Sequence, residues 1–365
     1  MRQASLPKNF LAAIVVLIGS TSALADEVRL YSWSDYIGSK AIPTFTSETG
    51  TKVIYDVFDS NDIAETKLLA GKSGYDIVTP NVSPHFARQL AAGIWAPLDK
   101  SKLGNIGNID AGILRKLSAI DPDNTHGIPW MWGTTGIIFN VQKVNEIMPG
   151  APTHSWRLLF DPDVVAKFAK CGVIMLDDAE QVLGSVLISM GKPADTDNEA
   201  DLAAAVEVIS KVRPFIRRFH SSEYLTGLAN GEYCIALGFS GDALVATLRS
   251  KEAGRNFDIQ YRIPAEGALV YTDVVAVPKD APNPAAALAF INTLMRPDVA
   301  AAAAIETGFA TANSEAVKLV PAEITDNPNL YPPAEVVARL TLPKVQSQKV
   351  LRLWQKAWRQ AKGLQ

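Results

Sequence analysis

The residues in this sequence best suited to chemistry are acids set beside aromatic rings. Asp35 stands in WSDY among Trp33, Ser34 and Tyr36; Asp177 and Asp178 follow GVIML; Asp242 follows CIALGF, which ends at Phe239; Asp273 sits inside ALVYTDVVAVP, two residues after Tyr271. Carboxylates repel anions, and the negative faces of aromatic rings attract cations by about 0.5–2 kcal/mol each. The chemistry that follows is capture of an organic cation. An alkyl chain with an ammonium at each end uses both features, with carboxylates at its ends and ring faces along its methylenes. Charge-assisted hydrogen bonds contribute about 1.5–3 kcal/mol each and buried methylenes about 0.8 kcal/mol apiece. Against an association cost of about 4 kcal/mol or more, such a ligand reaches roughly micromolar affinity. Each acid also has a plainer reading: Asp35, Asp178 and Asp242 stand where helices begin and would serve as N-caps, and any one ring would serve as core. Asp273 resists that reading, because an acid inside an apolar strand is costly to bury without a partner.

Other chemistries lack their residues. The histidines, His85, His126, His154 and His220, are scattered, with no HExxH and no i, i+4 pair to hold a metal. The GKS at 71–73 has Thr66 where a phosphate-binding loop needs its first glycine, and GFSG at 238–241 lacks the spacing of a nucleophile elbow. No dinucleotide fingerprint is present, so no cofactor or metal is expected. The expectation is a binding protein without catalysis. One alternative is a hydrolase with Asp178 and Asp242 as acid and base; another is a receptor for a different cation, such as an amino acid or a quaternary amine.

These acids need elements to position them. Period-two runs at 28–34, 52–58 and 75–80 predict strands, and the segments 38–49 and 61–71 between them predict helices. A second set follows: a strand at 172–176, helices at 179–190 and 200–212, a strand at 234–239 and a helix from Asp242. Strand-helix alternation predicts an α/β fold with mainly parallel strands, whose carboxyl ends line a ligand crevice. The length favours two domains. GIPWMWGTTGIIFN (127–140) and the run 263–278 read as crossing segments, giving two lobes joined by a multi-strand hinge with a cleft between them. One lobe is expected from 26–135 plus about 265–315, the other from 136–264 plus about 316–365. The tail is helical; its basic stretch 345–362 reads as a helix with a solvated face that packs across both lobes.

Residues 1–25 read as a secretory signal peptide, with Arg2 and Lys8 before an apolar run from Phe10 to Ile18 and Ala23-Leu24-Ala25 before Asp26. That run is too short to span a bilayer. Removing it leaves 33 basic against 38 acidic residues, a mild acidity that argues against nucleic acid as a partner. An exported, periplasmic chain favours pairing of Cys171 with Cys234, the alternative being two separate buried thiols.

YSWSDYIG, YDVFDSND, WMWGTTGI, CGVIMLDDAEQV, RRFHSSEY, LANGEYC, GFSGDA and NLYPPAEV together resemble the periplasmic polyamine-binding proteins, the putrescine and spermidine receptors of bacterial ABC transporters, along the mature chain. The resemblance implies the type II periplasmic-binding fold, a polyamine ligand, an inner-membrane ABC permease as partner, and a monomer. It implies that Trp33, Ser34, Asp35 and Tyr36 surround one end of the polyamine, that Asp242 and Asp273 bind amines, and that Tyr271 lies along the alkyl chain. Cys171 and Cys234 fall where putrescine-binding members have a cysteine pair. Departures from the putrescine pattern are Asn81 for a serine, Gln181 for a glutamate, Phe239 for a tryptophan and Phe309 for a tyrosine. Asp178 is acidic as in the spermidine type, which suggests that it compensates for the carboxylate lost at Gln181.

Overall fold

The computed structural model describes residues 27–363, so the expected leader lies outside the described residues. The first strands form where the apolar alternation places them. β1 (Glu27–Trp33), β2 (Lys52–Phe58) and β3 (Ile77–Val78) run parallel, with β1 in the middle. The helices between them, Ala41–Thr49 and Asn61–Leu69, have local start and stop signals: Ser60 caps the second by accepting from the Asp62 amide at 3.2 Å, and Gly50 ends the first at φ 74°.

β4 (Gly127–Asn140) is a single strand of 14 residues, almost wholly buried. β5 (Val173–Met175), β6 (Arg218–Phe219) and β7 (Ile235–Phe239) make a second parallel set with β5 in the middle. β8 (Ile259–Arg262), β9 (Ala268–Ala276), β10 (Ala310–Thr311) and β11 (Leu340–Thr341) complete the strands, and the main order is β2-β1-β3-β9-β4-β7-β5-β6. The strands are therefore less parallel than the sequence predicts. β9 and β4 run antiparallel to each other and to β3 and β7, their other neighbours in that order, because each carries the chain from one half of the molecule to the other. β4 pairs with β9 as far as Thr134 and with β7 from Thr135 onward, so the crossing occurs at one peptide.

Of three hydrophobic cores among the described residues, the two largest flank that crossing. One gathers residues from β1, β3 and the first half of β4 with the helices Pro284–Leu294 and Pro297–Thr307; the other gathers the second half of β4, β5, β7 and the helices Ala179–Ser189 and Glu199–Val212. Ala316 and Val320 lie in the first core, just past the expected end of that lobe near 315. The basic C-terminal helix, Gln348–Ala361, departs from expectation: it packs on the second core alone, through buried Trp354 and Trp358. Its alternation of two indoles with cations makes one face apolar enough for a single interface. Among the described residues no single helix is long and apolar enough to cross a membrane. Cys171 and Cys234 are bonded, with Cα atoms 5.7 Å apart, and link the starts of neighbouring β5 and β7.

Candidate functional site

The ends of these strands open into one cavity of about 520 Å³ between the two cores. Trp33, Ser34, Asp35, Tyr36, Asn81, Asp178, Gln181, Phe239, Asp242, Tyr271, Asp273 and Phe309 all line it, so the structure brings together every residue singled out from the sequence as binding ligand. Asp177 is the exception among the acids noted there. It turns to the C-terminal helix and accepts from Trp358 Nε1 at 3.0 Å and Lys362 Nζ at 2.6 Å.

Local geometry explains how each side chain arrives. β1 ends at Trp33, and the following turn places Asp35 at φ 56°, a left-handed conformation that aspartate tolerates better than most residues. The turn carries Tyr36 inward, where it is buried and donates to Asp273 Oδ2 at 2.6 Å. On β9 the side-chain period of two puts Tyr271 and Asp273 on the cavity face, while Val270 and Thr272 line a separate cavity behind the strand. β7 delivers Phe239, then Asp242 as the first residue of the helix Asp242–Glu252. Asp178 caps the helix Ala179–Ser189 by accepting from the Gln181 amide at 3.0 Å, so its structural and cavity-lining roles coexist. Gln181 accepts from Thr135 Oγ1 at 2.5 Å. Gly241 has no room for a side chain: a Cβ there would lie 2.6 Å from the Thr307 carbonyl and 2.7 Å from Phe309 Cδ1, where the two halves touch.

Four of the rings form a connected wall, Tyr36 to Phe309 to Tyr271 to Phe239, and Trp33 with Phe58 makes a separate pair. Tyr36 meets Phe309 edge-on at 5.4 Å, Phe239 meets Tyr271 at 5.2 Å, and Trp33 tilts against Phe58 at 4.5 Å.

Electrostatics set the site apart from an ordinary core. Burial pushes the Asp273 carboxyl up to about 7, although the Tyr36 hydroxyl and the nearby His85 pull the other way. Burial likewise pushes Asp242 up to about 7, against the Tyr224 hydroxyl that donates to it and the charge of Arg249. Asp178 is also raised, by burial first, with the Gln181 amide opposing. These acids are hydrogen-bonded by neutral hydroxyls and amides, which satisfy oxygen lone pairs without cancelling charge. A cation in contact would favour their ionised forms.

Sequence reasoning missed several lining residues. Arg249, from the helix Asp242–Glu252, reaches across to Asp35 Oδ2 at 2.6 Å. His220 accepts at Nδ1 from the Ser222 and Glu223 amides, each at 3.1 Å, and so caps the helix Glu223–Asn230 at the cavity edge. Phe58, the last residue of β2, carried a signal: it ends a predicted parallel strand, as Phe239 does. Arg249 carried none, since a cation in a helical run reads as solvated surface. The trio Asp62, Glu65 and His85 lies close enough to suggest a metal centre, but Arg88 engages both oxygens of Glu65, at 3.2 and 2.5 Å, which makes it an ion-pair cluster.

The putrescine-binding periplasmic protein PotF of Escherichia coli (strain K12) is 44% identical over 354 residues, 96% of this chain and 95% of that one. A spermidine/putrescine-binding periplasmic protein of the same organism is 33% identical over 334 residues, 90% of this chain and 91% of the other. Among solved structures, a putative spermidine/putrescine ABC transporter from Listeria monocytogenes superimposes with a TM-score of 0.82 at 31% identity, covering 93% of this chain and 99% of that one. Residues 40–332 match the bacterial extracellular solute-binding protein family, and the chain belongs to that family.

Proposed function

We propose that this protein captures a linear polyamine, putrescine or spermidine, between its lobes in the periplasm and delivers it to an inner-membrane ABC permease. The observation that carries the reading is the convergence of Asp242 and Asp273, buried and, among the described residues, without a cationic partner at hydrogen-bonding distance, with a wall of aromatic rings in one cavity. Two such acids near neutrality gain most from a ligand with separated ammonium groups, and Tyr36, Tyr271, Phe239 and Phe309 offer ring faces to the methylenes between them. It acts without catalysis, as a monomer, after removal of its N-terminal leader. Relatives that are solute-binding transport proteins support that reading.

The test is a calorimetric titration with putrescine, cadaverine and spermidine beside a thermal melt. Ligand that binds only the folded protein raises its melting temperature by mass action. No heat and no shift at millimolar amounts of all three would sink the proposal. The ring arrangement also suits a quaternary ammonium; a mono-cation such as choline that competes with putrescine at equal affinity would favour that second reading.

A further inference from the structure

Beside the ligand cavity lies a second interlobe crevice of about 630 Å³, and the two share Asn61, Asp178, His220 and Ser221. Its walls come from both halves of the molecule. The helix Asn61–Leu69 supplies Asp62 and Glu65, the following buried segment supplies His85 and Arg88, and the start of the helix Ala179–Ser189 supplies Glu180. Arg88 is the cation that spans the gap. It is committed first to Glu65, at 2.5 Å through Nη2, and only secondarily to Glu180, at 3.9 Å through Nη1. His85 Nε2 faces Asp62 Oδ1 at 3.3 Å, and Lys362 is taken by Asp177 at 2.6 Å. Asp59 and His220 stand at the edges, and Arg352 and Arg359 on the wall formed by the C-terminal helix.

The balance of charge around Glu180 is unfavourable. The groups that act on it are His85 and Arg88, which favour its charge, and Asp178 and Asp62, which oppose it. The arginine is already shared, and Glu180 is only 19% exposed. Two halves that close here bring an under-compensated carboxylate out of water, which is costly unless the group is neutralised.

We propose that this crevice is a proton-coupled closing device: when the helix Ala179–Ser189 comes against Arg88 and the helix Asn61–Leu69, Glu180 takes up a proton, so polyamine capture draws a proton from solvent at a site the ligand does not touch. This rests on the polyamine reading. The sign follows from linkage. Burial pushes Glu180 up to about 7 in the assembled crevice, whereas a solvated glutamate titrates at about 4.3. The closed form therefore binds more protons, and closure is favoured fully below the ordinary carboxylate range and loses that support as pH rises through about 7. Burial opposes the charge of His85, but the hydrogen bond with Asp62 holds it above its ordinary value, so it too binds its proton more firmly in the assembled crevice.

Titration of putrescine in buffers of differing ionisation enthalpy reads the protons exchanged. At pH 7 the unaltered protein should take up about 0.5 proton more per putrescine than Glu180→Gln, the half-protonation expected of a group at about 7. The Gln variant should bind more tightly than the unaltered protein at pH 8.5, and the gap should narrow to about sixfold or less by pH 5; Glu180→Asp should restore the pH dependence. Identical proton counts, or weaker binding by Glu180→Gln at pH 8.5, would overturn the inference while leaving polyamine capture intact. Small-angle scattering of ligand-free protein gives an independent reading: the radius of gyration should shrink on acidification in the unaltered protein and vary less with pH in Glu180→Gln. The same trend in both would refute the device even if putrescine proved not to be the ligand.

Discussion

The ligand cavity and the crevice beside it are both acidic, both interlobar and joined by shared residues, yet they handle carboxylates in opposite ways. In the cavity, Asp273 and Asp242 are held by the hydroxyls of Tyr36 and Tyr224. In the crevice, Glu65 is clamped by Arg88, Asp177 by Lys362 and Asp62 by His85. A tyrosine positions a carboxylate and leaves its charge to be met by something else, whereas a guanidinium or ammonium meets it outright. On the polyamine reading, what makes a cation site is therefore less the number of acids than the neutrality of their hydrogen-bond donors. Asp35 falls between the two patterns, since Arg249 meets its charge at the rim, where both side chains are partly exposed.

The largest expected effect tests that contrast directly. Replacing Asp242 and Asp273 together by Asn keeps their shape and removes their charge; putrescine affinity should fall by about 10²–10⁴-fold, from the loss of charge-assisted hydrogen bonds worth roughly 1.5–3 kcal/mol each. Calorimetry checks this, and a loss of less than fivefold would mean that the cavity acids are not the cation site.

The pH dependence comes next. Burial pushes Asp242 and Asp273 up to about 7 in the assembled cavity, and a bound ammonium lowers both. The assembled cavity without ligand then carries more protons than the occupied one, so ammonium binding to it should be strongest above pH 8 and drop by roughly 10- to 100-fold by pH 6, partly offset in the measured affinity by Glu180 at the closing step. Affinity that stays flat between pH 6 and 8.5 in Glu180→Gln, where the offset is absent, would contradict the assignment.

A smaller effect separates the two ligands. Asp178→Asn retains a residue able to cap the helix Ala179–Ser189, so only charge is lost. Spermidine affinity should fall by about tenfold and putrescine affinity by less, because one charged hydrogen bond is weakened. Unchanged values for both ligands would end the idea that Asp178 replaces a carboxylate missing at Gln181. The smallest effect belongs to the rim. Arg249→Ala removes a partly exposed ion pair, worth about 0–1 kcal/mol, and should change putrescine affinity by less than about fivefold; a hundredfold change would make the rim as decisive as the cavity floor.

Most of the cavity was legible because of where its residues sit along the chain. Phe239, Asp242 and Asp178 occupy the ends of parallel strands or the helix starts that follow, where an open α/β sheet places its crevice, and WSDY follows β1 in the same way. Asp273 was conspicuous as an acid within an apolar run. Partners were not legible in this way. Tyr36 and Asp273 are 237 positions apart, and Asp35 and Arg249 are 214 apart; nothing in either local pattern names the other. Tyr224 reads as a core aromatic on an amphipathic helix, and only the packing turns its hydroxyl toward Asp242. The antiparallel crossing of β4 and β9 was equally hidden, since a buried strand shows the same apolar run whichever way its neighbours point.

The sequence by itself determined the α/β architecture and the sign of the ligand, because periodicity, turn chemistry and residue charge act over short stretches. The tertiary structure decided which carboxylates stay uncompensated, because that depends on whether the donor brought to each oxygen through long-range packing is a neutral hydroxyl or a cation.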